Sequence, residues 1–86
     1  MTTQQHWRAR LNSIIDEVAQ AHGVTRDELL GPSKRRRFVA ARQEAMYRGR
    51  EAKFSLLELA EVFGRDHTTV RAACLKVAAR KGREAA

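Results

Sequence analysis

Between residues 55 and 80, two apolar-periodic runs are separated by a single glycine. No other feature of the chain restricts its fold as strongly. Ser55 and Glu58 form a capping-box pair. The hydroxyl can accept the backbone N–H three residues on while the carboxylate reaches back, so a helix is expected to open there. Leu56, Leu59, Ala60 and Phe63 then supply an apolar stripe at helical spacing, and Gly64 breaks it. Asp66 is a suitable N-cap for a longer helix whose inner face is Val70, Ala73, Cys74 and Val77. A short helix, a tight glycine-bearing turn and a longer helix are the parts of a helix-turn-helix.

The remaining sequence is read in the same way. Trp7, Leu11, Ile14, Ile15 and Val18 mark one face of a first helix, and Gly23 suits the left-handed residue after its last turn. Thr25 and Glu28 form another capping box, opening a short helix through Leu30 that Gly31-Pro32 ends. "SKRRR" then reads as an exposed basic loop, at about residues 33–37, or as the entry to a helix. The next helix is expected from about Phe38 to Ala52, with Phe38, Ala41, Ala45 and Gly49 or Met46 inward. The terminal "KGREAA" is expected to fray. No stretch alternates apolar and polar residues, so the expected fold is all-α. One compact helical bundle over residues 1–86 follows, with the helix-turn-helix at about 55–80.

Charge narrows the function. The net charge is +7, and its distribution is uneven. Lys34, Arg35, Arg36, Arg37, Arg42, Arg48, Arg50 and Lys53 form one basic block. Arg65, Arg71, Lys76, Arg80, Lys81 and Arg83 form another, and the first 33 residues are slightly acidic. Two such blocks meeting in space would make a footprint for a polyanion.

Other chemistries find little support. Asp66, His67 and Thr68 are adjacent at a helix start, where neighbouring side chains diverge, so they cannot form a catalytic relay. His6, His22, His67 and Cys74 lack metal-ligand spacing, and no phosphate-binding glycine-lysine loop is present. Neither a metal nor another cofactor is expected, and no enzymatic activity. Cys74 reads as a small core residue and His22 as a helix C-terminal residue. There is no secretory signal pattern and no apolar run long enough to span a bilayer. A lone cysteine fits a reducing, cytoplasmic location.

A recognition helix offers each of these residues a use. Asp66 can accept from cytosine, His67 can donate to a base or phosphate, and Thr68 and Thr69 can meet a thymine methyl or a phosphate. An aspartate among so many cations fits base readout better than phosphate binding alone. Arg71, one turn beyond His67, and Lys76, Arg80 and Lys81 further along are candidates for phosphate contacts. Arg35 and its neighbours in the basic loop can serve the same role, or one of them can enter a minor groove.

These residues resemble a known family. "DELL", "SKRRR", "ARQEAMY", "SLLELAEVFG" and "RDHTTVRAACLKV" follow, in order, the DNA-binding domain (domain IV) of the DnaA family of bacterial replication initiators, over about residues 8–80. The resemblance implies an all-helical domain that binds duplex DNA boxes, with a loop residue in the minor groove and the helix-turn-helix in the major groove. Position by position, it implies Asp66, His67 and Thr68 as base readers and Thr69 at a phosphate. It further implies Arg42, Gln43 and Lys76 at phosphates, and Leu57 where the family commonly has a proline beside a thymine methyl. Ungapped counting from Leu30 puts Lys34 at the minor-groove position, with Arg36 two further on. The turn at Gly64-Arg65 is one residue shorter than the family's usual form.

A start at Met1 directly before the first helix leads to the expectation of a stand-alone, nucleoid-associated regulator of transcription or replication that lacks the initiator's ATPase. The alternatives are the C-terminal domain of an initiator and, in another class, a protein-interaction adaptor. The expected partner is double-stranded DNA carrying a DnaA-box-like site, with proteins of the transcription or replication machinery as further partners. Neither a membrane nor a small-molecule substrate is expected. One helix-turn-helix with a basic arm can bind as a monomer.

Overall fold

The computed structural model describes residues 3–85, and side chains from Trp7 to Glu84; the side chain of His6 lies outside the described residues. Five helices follow one another: α1 (Thr3–His22), α2 (Arg26–Leu30), α3 (Arg36–Glu51), α4 (Leu56–Phe63) and α5 (His67–Ala85). No strand occurs among the described residues. Helix α3 is the hub. It packs on each of the other four helices, most extensively on α5 and α1.

The expected apolar faces form the core. Leu11, Ile15 and Val18 of α1 meet Leu29, Ala41, Ala45, Met46, Leu59, Phe63, Val70 and Ala73, with Trp7, Ile14 and Phe38 at the edge. Gly49 lies against Leu59 of α4 and Leu11 of α1: a Cβ there would sit 2.6 Å from Leu59 Cδ2 and 3.3 Å from Leu11 Cδ1. A side chain at this position would have to displace those buried leucine methyls.

Local signals account for most of the helix ends. Thr25 and Ser55 both form complete capping boxes, with Glu28 and Glu58. After α1, the Gly23 N–H bonds to Gln20 O and the Val24 N–H to Ala19 O, which is a Schellman closure that buries Val24. The same closure follows α3, where the Lys53 N–H bonds to Arg50 O and the Phe54 N–H to Gly49 O. There the left-handed position is held by Lys53, at φ 77°, instead of a glycine.

Two boundaries differ from expectation. Helix α3 starts at Arg36, so the basic loop contracts to Ser33–Arg35. Arginine is a good helix former and nothing after Pro32 breaks the run, so the Arg35 carbonyl takes the first helical bond, from the Val39 N–H. Helix α5 continues through "KGREA" instead of fraying. Lys81 pairs with Glu44 of α3 and stacks its ammonium over Tyr47, which ties that turn to the hub.

Candidate nucleic-acid interface

The turn between α4 and α5 consists of Gly64, Arg65 and Asp66. Gly64 takes a left-handed conformation at φ 63°, which a side chain would oppose, and the Arg65 N–H closes on Ala60 O. The Asp66 carbonyl accepts the Val70 N–H, which starts α5. Val70, Ala73 and Val77 are buried against the bundle, so the opposite side of α5 is open.

That open side carries the expected base readers. Asp66, His67 and Thr68 are all exposed, and so is Arg71 one turn on. Asp66 holds the N-cap position of the backbone, but among the described residues no donor reaches its carboxylate. The expected side-chain cap is not formed. The Thr25 and Ser55 hydroxyls bond to their own helices. Leu57, in the first turn of α4, is 69% exposed.

The two basic blocks meet. Arg42, Gln43, Arg65, Thr69 and Lys76 line a depression between α3 and α5. A second depression beside it is lined by Lys34, Arg36, Gln43, Lys76 and Arg80. Lys34 and Arg36 therefore share one groove and are both exposed, so either can extend from this edge. Arg35 is exposed and lines neither depression.

Arg42, expected at a phosphate, lines the first depression but is held mostly inside the fold. It is only 7% exposed. Its Nε donates to Leu29 O at 2.7 Å, and its Nη2 to Gly31 O at 2.7 Å and Ser33 O at 3.2 Å. Burial, and then the neighbouring Arg65 charge, both push its pKa down. The residue is built into the framework beneath the groove, and its charge is not balanced by a carboxylate among the described ion pairs.

Arg65 and Glu44 matter here without having been singled out from the sequence. Arg65 donates from Nη1 to Phe63 O at 2.7 Å and from Nη2 to Gly31 O at 2.7 Å. Glu44, largely buried on α3, pairs with both Arg80 at 3.5 Å and Lys81 at 3.3 Å. It therefore fixes Arg80 at the edge of the second depression. Opposite charges in the two basic blocks were the only available signal for the Glu44 pairs. Cys74 is half-buried beside the core, and burial pushes its thiol pKa up, with Arg50 opposing.

Residues 11–77 match the family model described as the bacterial DnaA protein helix-turn-helix. The chain belongs to the bacterial DnaA helix-turn-helix family. The matched stretch begins at Leu11 and ends at Val77, the first and last core side chains, so the DnaA-type module coincides with the packed bundle. The chromosomal replication initiator protein DnaA of Bifidobacterium animalis subsp. lactis is 43% identical over 67 residues, covering 76% of this chain and 12% of that protein. Its counterpart in Picosynechococcus sp. is 40% identical over 77 residues, covering 87% of this chain and 17% of that protein. That of Corynebacterium jeikeium is 49% identical over 59 residues, covering 66% and 10%. The DnaA-type domain thus spans from a tenth to about a sixth of the length of these relatives. It is an all-α module of the C-terminal, DNA-binding type.

Proposed function

We propose that this DnaA-type domain binds duplex DNA at DnaA-box-like sequences. Asp66, His67 and Thr68 read base edges in the major groove, and Leu57 packs on a thymine methyl. Lys34 or Arg36 enters the adjacent minor groove, and Arg35, Gln43, Thr69, Arg71 and Lys76 hold phosphates. Arg42, with Nε and Nη2 already committed to carbonyls, supplies charge beneath the backbone in place of a free fork. The observation that carries this reading is the meeting of the two basic blocks. Lys34 and Arg36 share a groove with Lys76 and Arg80, beside a recognition helix whose first turn is exposed.

Occupancy of such a site excludes any initiator that reads the same box, and competition of this kind is the regulatory role we assign. The relatives are themselves named as replication initiators, so the same interface equally suits a module that carries an initiator to its boxes. The test is selection of bound duplexes from a random pool. Enrichment of a DnaA-box-like motif is expected, and His67→Ala or Thr68→Ala should weaken binding to that motif while leaving non-specific binding in place. A pool that returns without a motif overturns sequence-specific reading.

A further inference from the structure

Helix α2 cannot end in the way α1 and α3 do. Gly31 is extended, at φ −76° and ψ −179°, because Pro32 follows it, so no backbone N–H returns to close the last turn. The free carbonyls meet two guanidinium groups instead. Arg42 takes Leu29, Gly31 and Ser33. Arg65 takes Gly31 at 2.7 Å, Leu30 at 3.4 Å and Phe63 at 2.7 Å. The Gly31 oxygen is shared by both.

The two arginines come from different elements. Arg42 is on the hub helix, whereas Arg65 is in the turn that aims the recognition helix. Through Arg65, the backbone just before the basic loop is tied to the backbone just before Asp66, across more than thirty residues of sequence. The Phe63 carbonyl belongs to the last residue of α4, so one planar fork spans the end of α4 and the start of the loop. Lysine, a compact ammonium without that planar fork, would hold such a pair with less directional control.

We propose that Arg65 is a positioning residue that fixes the basic loop relative to the recognition helix, so that a loop cation and Asp66–Thr68 engage one duplex together. This rests on the DNA reading above. It predicts that the loop's contribution to binding depends on Arg65, whereas the contribution of Thr68 does not.

Two measurements test it. The first needs no DNA. Spin labels at Arg35→Cys and Arg71→Cys, in a Cys74→Ser background, report the distance from loop to recognition helix. Arg65→Ala should broaden that distribution, and Arg65→Lys should do so in part; an unchanged distribution overturns the proposal. The second is a mutant cycle on the selected duplex. Removing Lys34 and Arg36 together should cost about tenfold in affinity with Arg65 present and less than about threefold with Arg65→Ala. The cost of Thr68→Ala should be the same in both backgrounds. Equal loop costs in the two backgrounds would mean that Arg65 is only a stabilising residue. If Arg65→Ala loses its helical circular dichroism, Arg65→Lys takes its place in both arms. Should the intact protein select no duplex, the DNA reading fails, while the label distances still judge the clamp.

Discussion

The arginines show how little a residue's type says about its role until its partners are known. Arg42, Arg65 and Arg71 lie in the same basic blocks, yet Arg42 and Arg65 are anchored to carbonyls and Arg71 is open to solvent. Truncating Arg42 would take the side-chain donor from the carbonyl of buried Leu29 and from that of half-buried Ser33, while Gly31 O would keep Arg65. Arg42→Ala should therefore cost about 2–4 kcal/mol of stability, as read by urea unfolding with the fluorescence of Trp7. Trp7 packs at the core edge with its ring centroid 6.3 Å from that of Phe54, so it senses unfolding. Lys53 offers the opposite case. Its left-handed backbone at φ 77° is strained for any residue with a Cβ, and its side chain is exposed. Lys53→Gly should raise stability by about 0.5–1 kcal/mol by relieving that strain, measured by the same unfolding curve.

At the scale of the elements, α3 decides where everything else goes. The close approach at Gly49 brings α1 and α4 against it, and α4 in turn sets the starting point of α5. Gly49→Ala keeps the helix propensity favourable but forces a methyl into space held by Leu59 and Leu11. A net loss of about 1–3 kcal/mol is expected in thermal or urea unfolding, since overpacking outweighs the propensity gain. The far half of α5 is held differently. Lys81 and Arg80 reach Glu44, and Lys81 also covers Tyr47, so polar contacts carry the last turns where apolar ones run out after Val77. These pairs are partly exposed and each contributes little to stability. Their effect is on placement: they keep Arg80 beside Lys34, Arg36 and Lys76.

At the scale of the whole molecule, the net charge is +7, and four cations from the two basic blocks, Lys34, Arg36, Lys76 and Arg80, line one groove. Binding a duplex through it should release counterions. A plot of log affinity against log salt should fall with a slope of about −3 to −4.5, for about three to five phosphates neutralised by lysine or arginine. Arg71→Ala should make that slope shallower by about 1 and weaken all sequences alike. A flat salt response would remove the backbone-contact assignment.

Much of this architecture was legible in the sequence. Apolar spacing, two capping boxes, and glycines at 23 and 64 are local signals, and each acts within a turn or two of where it is written. The helices, their order, and an outward-facing first turn of α5 follow from them. The tertiary structure alone decided three things: that α3 begins at Arg36, that the basic blocks share a groove, and that Arg42 and Arg65 are anchors. The last has a plain physical cause. A guanidinium bound to backbone carbonyls needs no complementary side chain, and every residue has a carbonyl, so no spacing in the sequence can announce the pairing. Only the folded chain, which brings Gly31 within reach of both residues, shows which arginines are left free to meet a polyanion.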